Sequence, residues 1–114
     1  VSMMNQLDCG EPLSQVCFVH DYIQLHFQEQ RVTVFNTPKL SLPSGATIDQ
    51  ADVGFCDKLV SQIGQSIQEA GLFEGLHFII RFGSGVEFIV PLTSEAANSP
   101  EALELPGAYI VFNT

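Results

Sequence analysis

The chain has 114 residues and a formal net charge of −9, because 13 Asp and Glu residues outweigh 4 Lys and Arg residues. This length suits one domain with one core, and the 46% hydrophobic content is too high for a disordered chain. The negative charge disfavours binding to nucleic acid and docking on anionic membranes.

The N-terminal third of the chain predicts a loose lead followed by two strands. Residues 1–13 mix polar residues with Gly10 and Pro12, so we expect a loose lead of this length before a single domain over 14–114. Apolar residues alternate from 15 to 28, which indicates a strand. The phase of this alternation changes at 20–22, as a β-bulge would cause. Residues 31–37 predict a second strand, antiparallel to the first.

The middle of the chain predicts a loop over 38–52, with one short extended piece around 40–42, and then one main helix. Apolar residues recur there every three or four positions, as on one face of a helix. They are Cys56, Leu59, Val60, Ile63 and Ile67. Asp52 is the expected N-cap, and Gly71 is the expected glycine after the helix. The spacing therefore predicts a helix over about 52–70, with the Cys56 thiol buried and inert in its apolar face.

A second alternation of apolar residues predicts a β-hairpin over 76–92. Its three-residue turn is Gly83-Ser84-Gly85, with Gly85 in the left-handed conformation. Four cross-strand pairs follow from this register: Phe82 with Val86, Ile80 with Phe88, Phe78 with Val90, and Ile79 with Ile89. The first three pairs lie on one apolar face. On the opposite face, the register predicts a complementary pair between Arg81 and Glu87.

The C-terminal segment predicts a short helix within 94–105 and a last strand over 108–112. The element order is then β-β-α-β-β-(short α)-β. We predict an α+β fold, a mostly antiparallel sheet of about five strands with the main helix packed on one face. One helix cannot cover both faces, and an uncovered apolar face is typical of an interaction surface. The residues predicted for that surface are Ile79, Ile89, Tyr109 and Val111.

No residue pattern specifies a catalytic, cofactor or metal site. Cys9, Cys17 and Cys56 form no CxxC, which disfavours a disulfide framework or a zinc site and favours a reducing cytoplasm. Cys17 with His20 and Asp21 could supply a nucleophile, a base and an orienting acid. Adjacent strand residues point to opposite faces, so an exposed polar kink is the simpler interpretation. We predict no catalytic residue, no cofactor and no metal.

Five segments carry a resemblance to a group of known proteins. They read VCFVHDYIQLHF, PKLSLPSG, LVSQIGQSI, LHFIIRFGSGVEFIVPL and EAANSPEALELPGAYIVF. In this layout the chain resembles small uncharacterised bacterial α+β domains, and it is similar to some immunity proteins of bacterial toxin systems. The resemblance implies an α+β fold and no catalytic residues. An immunity-type role implies a basic toxin, such as a nuclease, as the partner.

We therefore predict a small cytoplasmic bacterial domain that acts by protein–protein contact. The partner is either another protein or a second copy of the chain in a homodimer, and an acidic surface would speed the encounter with a basic partner. An alternative is a small-ligand binding module with a pocket between helix and sheet. A third hypothesis is an enzyme that uses His20 and Asp21.

Overall fold

The computed structural model describes residues 2–3, 11–28, 30–73, 75–97, 99–106 and 109–113. Strands account for most of the regular structure within them. They are β1 (Ser2–Met3), β2 (Gln15–Val19), β3 (Tyr22–Phe27), β4 (Gln30–Val34), β5 (Lys39–Ser41), β6 (Thr47–Asp49), β7 (Ile67–Phe73), β8 (His77–Phe82), β9 (Glu87–Pro91), β10 (Glu101–Leu105) and β11 (Tyr109–Phe112). Helix α1 covers Phe55–Val60, and a 3-10 turn covers Ser94–Ala96. The predicted α+β fold is therefore wrong.

The strands form two antiparallel sheets that pack face to face. One has six strands in the order β1-β7-β8-β9-β5-β6, and the other has five in the order β11-β10-β4-β3-β2. Their inward side chains form one continuous core, as in a β-sandwich. The six-stranded sheet contributes Phe78, Ile80, Phe82, Phe88 and Val90, and the five-stranded sheet contributes Ile23, Leu25, Phe27, Val32 and Val34.

The hairpin predicted over 76–92 is confirmed as β8 and β9. Ile80 lies opposite Phe88, Phe78 opposite Val90, and Ile79 opposite Ile89. The amide of Phe82 donates to the carbonyl of Val86 at 2.9 Å. Gly85 has a φ of 91°, which an L side chain rarely adopts. This part of the fold follows from local alternation and turn chemistry alone.

The predicted helix over 52–70 is wrong at both ends. Gly54 is the N-cap, whereas Asp52 accepts a hydrogen bond from the Asp49 amide at 2.9 Å. The buried face of α1 holds Phe55 and Leu59, and Cys56 is exposed rather than buried. Helical geometry is lost after Ser61, the C-cap. The φ of 95° at Gly64 then turns the chain away.

Helix α1 contacts β2 of one sheet and β5 of the other. Because Phe55 and Leu59 point into the core, the helix covers the sandwich where those strands approach one another. Among the described residues, no helix is long and apolar enough to span a membrane.

The second half of the predicted helix forms β7 instead, and Gly71 lies inside this strand. The register between β7 and β8 shifts between Ile67 and Glu69. A one-residue shift of this kind moves inward side chains from odd to even positions. Ile67 is buried before the shift, and Ala70 and Leu72 are buried after it. The bulge therefore interrupts the alternation of buried side chains in β7, and the sequence of this strand does not show a regular two-residue period.

The strand predicted over 15–28 is a hairpin of β2 and β3, and the predicted bulge at 20–22 is wrong. Val19 pairs with Tyr22, so His20 and Asp21 form a two-residue turn. This register places Val16 opposite Leu25 and so pairs even positions with odd ones. A reversal of the chain therefore produces the change of phase. The second predicted strand is confirmed as β4, antiparallel to β3.

The remaining differences concern the loop over 38–52 and the short helix within 94–105. The extended piece predicted around 40–42 overlaps β5, which pairs with β9, whereas β6 was not predicted. Among the described residues of the C-terminal segment, Ser94–Ala96 is helical, and β10 follows it. The final strand is confirmed as β11, although Ala108 lies outside the described residues.

Part of the predicted lead over 1–13 is also described. Strand β1 pairs with β7, Pro12 forms a bridge with Ser66, and Leu13 is buried in the core. Cys9 lies outside the described residues.

Candidate functional site

The outward side chains of the six-stranded sheet form the principal candidate site, which we call the outer sheet face. Strand alternation places every second residue of β7, β8, β9, β5 and β6 on it. It comprises Glu69, Gly71, Phe73, His77, Ile79, Arg81, Glu87, Ile89, Pro91, Lys39, Ser41, Thr47 and Asp49. Three rows run across these strands in register.

The central row of the outer sheet face has an apolar middle and carries Lys39 on β5. Gly71 pairs with Ile79, Ile79 with Ile89, and Ile89 with Lys39. Ile79 and Ile89 are half-buried in the monomer, so each keeps surface that a bound molecule could cover. Two β-branched side chains at the middle of a sheet form a small, rigid apolar centre.

Gly71 leaves a shallow depression beside this centre. A Cβ atom at position 71 would lie 3.2 Å from Cε2 of Phe73. The depression has a volume of about 210 Å³, and Ile79, Arg81 and Phe73 contribute to its lining. The Phe73 and His77 rings lie 5.0 Å apart, centroid to centroid, and form its aromatic rim. It is smaller than the roughly 300–1,000 Å³ of ordinary small-molecule sites.

A charged row borders the apolar centre on one side. Glu69, Arg81 and Glu87 lie in register on β7, β8 and β9. The Arg81 guanidinium forms an ion pair with Glu69. Within the described residues, the Glu87 carboxylate has no ion pair, and the Arg81 Nε has no hydrogen-bond partner. The Nε atom is buried, so within the described residues the Glu87 carboxylate is the group of this row that has no ion pair.

The structure brings together two of the four residues predicted for an interaction surface. Ile79 and Ile89 are direct neighbours on the outer sheet face. Tyr109 and Val111 belong to β11 at the edge of the other sheet. Val111 packs into the core, and the side chain of Tyr109 lies outside the described residues. The sequence did not indicate that Lys39 and Glu69 share this face, because β7 was predicted as helix and the pairing of β5 with β9 was not predicted.

His20 and Asp21 lie in the exposed turn between β2 and β3. His20 Nε2 and Asp21 Oδ1 are 3.8 Å apart, and both side chains are more than 80% exposed. Ser99 lines a surface depression together with His20 and Asp21, but its hydroxyl donates to the Glu101 carbonyl at 2.8 Å. Cys17 contacts the Gln15 side chain through its sulfur. Cys17, His20 and Asp21 are therefore not arranged as a nucleophile with a base and an orienting acid.

On the outward face of the five-stranded sheet, polar side chains form hydrogen bonds with one another. The Gln24 amide donates to the Thr33 hydroxyl at 3.4 Å, and its Oε1 lies 3.2 Å from His26 Nε2. Exposed apolar residues occur at its two edges, Val19 on β2 and Ile110 and Phe112 on β11. Tyr22, the cross-strand partner of Val19, also contacts the Phe35 ring. This second surface is therefore a rival to the outer sheet face.

In the part of the chain that the structure describes, no three His, Cys, Asp or Glu side chains are placed to hold a metal ion. Comparisons with protein-family models, with curated protein sequences and with solved structures find no match to this chain.

Proposed function

We propose that this protein acts by protein–protein contact through the outer sheet face. The observation that carries the proposal is the apolar pair Ile79–Ile89 at the middle of a sheet face, bordered by the charged row of Glu69, Arg81 and Glu87. An apolar centre with a polar rim is the usual anatomy of a protein interface. A flat sheet face also suits the broad surface of another protein better than it suits a small ligand.

The charges on the outer sheet face favour a partner with both signs of charge. Two of the four cations of the chain, Lys39 and Arg81, lie on this face, beside Glu69, Glu87 and Asp49. The net charge of −9 is therefore not concentrated there. A strongly basic partner, such as the toxin of an immunity pair, would bind an acidic surface instead. An immunity-type role against such a toxin is the alternative, and it is supported by the net charge and by the resemblance to immunity proteins.

We place the protein in the cytoplasm as part of the same proposal. Cys17 and Cys56 are free thiols, and Cys56 is exposed. Exposed free thiols are compatible with a reducing compartment. The protein would then meet its partner there without disulfide bonds.

The test of the proposed function is a comparison of three Lys substitutions at exposed or half-exposed apolar positions. Ile79→Lys places a charge at the centre of the outer sheet face. Val53→Lys introduces the same charge at a fully exposed residue before α1, and Phe112→Lys introduces it on the rival surface. Each variant is first checked for native circular dichroism and melting temperature.

Association is then measured in two ways. Sedimentation velocity reports self-association. Affinity purification from the source cells, followed by quantitative mass spectrometry, identifies other partners. Binding of each such partner is then measured again with purified components. We expect Ile79→Lys to abolish association, and Val53→Lys and Phe112→Lys to retain it. A folded Ile79→Lys variant that keeps every association would overturn the proposal. Loss of association in Phe112→Lys alone would transfer the function to the other sheet.

A further inference from the structure

We infer that the partner on the outer sheet face is a second copy of this chain, in a two-fold symmetric dimer. This inference rests on the proposed function, since it names the occupant of the same surface. It comes from three observations: the strand order of the sheet, the register of β8 with β9, and the charges in the row that contains Arg81.

The strand order gives the sheet a natural centre. In the order β1-β7-β8-β9-β5-β6, the ladder between β8 and β9 has three strands of the sheet on each side. Two identical faces can meet only around a two-fold axis that lies in the plane of contact. An axis parallel to the strands, above the β8–β9 ladder, places β8 of one subunit on β9 of the other. It also places β7 on β5, so the whole sheet is covered.

The register of the hairpin then determines which side chains meet. Residues that are cross-strand partners within one chain become facing partners between two chains. Ile79 faces Ile89 of the partner subunit, and the reverse contact forms by symmetry. Four Ile side chains would pack at the centre of the interface, where water is excluded most completely.

The same symmetry operation makes the charged row self-complementary. Arg81 faces Glu87 of the partner subunit, and Glu87 faces Arg81 of the partner subunit. Within one chain Arg81 is paired with Glu69, and Glu87 has no ion pair among the described residues. The guanidinium has five N–H donors, so Arg81 can keep Glu69 while it binds a second carboxylate. Two such contacts would form in each dimer.

Lys39 provides a further match. It lies in register with Ile89 on β5, and β5 faces β7 across the axis. Its long side chain therefore faces Gly71 of the partner subunit, which has no side chain to oppose it. The adjacent row on that strand carries Glu69, which gives the Lys39 ammonium a carboxylate to approach. The two cations of this face would thus both meet acidic groups.

The size of the face suits a weak dimer. The molecule measures 31 × 30 × 27 Å, so one whole side of it is at most on the order of 900 Å². The strands of the outer sheet face have three to seven residues and cover only part of that side, so the interface is smaller than the roughly 800 Å² per partner of a standard one. Because the centre holds few apolar side chains and the rim is charged, we expect a dissociation constant of roughly micromolar size.

A charge-exchange experiment tests this arrangement. Arg81→Glu and Glu87→Arg are prepared separately, and each is expected to dimerise at least ~10-fold more weakly than the wild type, because like charges then face each other. In an equimolar mixture opposite charges face each other again at both contacts. We expect a heterodimer to form with near wild-type affinity, measured by native mass spectrometry of chains with different tags. Sedimentation from roughly 1 to 500 µM supplies the dissociation constants.

Two variants on the other sheet serve as controls of equal charge change. Arg31→Glu and Glu104→Arg lie in β4 and β10, and both should dimerise like the wild type. A wild-type chain that stays monomeric up to the highest concentration would overturn the inference, as would a mixture that forms no heterodimer. If Ile79→Lys nevertheless abolishes binding of a reconstituted partner protein, the proposed function stands and only its self-association fails.

Discussion

Arg81 forms its ion pair with Glu69 on β7, although Glu87 lies directly opposite it on β9. The prediction that Arg81 and Glu87 are cross-strand neighbours is confirmed as a register, but the ion pair forms with the other neighbour. A central strand has two flanking strands, and the sequence of one hairpin reveals only one of them. Among the described residues, the Glu87 carboxylate on the outer sheet face therefore has no ion pair.

The first prediction concerns the strength of these pairs. We expect a double-mutant cycle of Glu69→Gln with Arg81→Met to give a coupling free energy of roughly 0.2–1 kcal/mol, as for other exposed pairs. Both side chains are about half exposed, which limits the value. The cycle of Glu87→Gln with Arg81→Met should give a smaller coupling in the monomer. Urea unfolding at low protein concentration measures both, and a larger coupling with Glu87 would contradict the pairing.

The second prediction tests the end of α1. Gly64→Ala should lower the free energy of unfolding by about 1–2 kcal/mol, because Gly64 has a φ of 95° and L residues are strained in the left-handed region. Space does not limit this substitution, since nothing lies within 4 Å of the added Cβ.

Gly83→Ala is the control for this strain. Its Cβ would lie 3.3 Å from the flexible end of the Gln65 side chain, and Gly83 is not among the glycines with a positive φ. We expect a change within about 0.5 kcal/mol. Equal effects of the two substitutions in urea unfolding would show that backbone strain at Gly64 is not responsible.

The third prediction concerns a buried amide pair that joins the two sheets. Asn36 is 2% exposed. Its Nδ2 donates to the Pro91 carbonyl at 2.7 Å and to Asn113 Oδ1 at 2.6 Å. Asn36→Ala leaves these acceptors without their donor, and we expect the free energy of unfolding, measured by urea unfolding, to fall by about 2–3 kcal/mol. The double variant with Asn113→Ala should lose less than the sum of the single variants, because the two residues share one network. Additive losses would contradict the pairing.

The fourth prediction separates the two faces of β9. Phe88 is fully buried between the sheets, whereas its neighbour Ile89 is half-buried on the outer sheet face. Phe88→Ala should cost about 3–5 kcal/mol, and Phe88→Leu should cost less and remain folded. We expect Ile89→Ala to cost about 1 kcal/mol or less in the monomer. Thermal and urea unfolding measure the difference, and similar losses at both positions would contradict the sandwich.

The fifth prediction concerns thiol reactivity. Cys56 is exposed on α1, whereas Cys17 is half-buried and its sulfur contacts Gln15. Native protein treated with iodoacetamide should therefore be alkylated faster at Cys56 than at Cys17, as quantified by peptide mass spectrometry. The Cys56→Ser variant identifies the fast phase. A Cys56 thiol that reacts only after unfolding would restore the sequence-based expectation that it is buried.

Elements whose structure depends only on neighbouring residues in the sequence were predicted correctly. The β8–β9 hairpin needs only an alternation of apolar residues and a glycine turn, and both lie within 76–92. The prediction of a single helix over 52–70 was wrong for two reasons. The bulge near Ile67 interrupts the alternation of buried residues in β7, and Leu59 and Ile63 recur at helical spacing. The φ of Gly64 separates these segments, and a glycine in a sequence does not reveal its own dihedral angle.

By itself, the sequence determined the apolar hairpin, its register, and the position of Ile79 and Ile89 on the face opposite the large Phe residues. Side chains in a strand alternate whatever the rest of the chain does. Only the tertiary structure decided that a second sheet, rather than a helix, covers the inner face. It also decided that β7 and β5 flank the hairpin and bring Glu69 and Lys39 to the outer sheet face. Pairing between strands distant in sequence depends on the packing of the whole core, which no local pattern encodes.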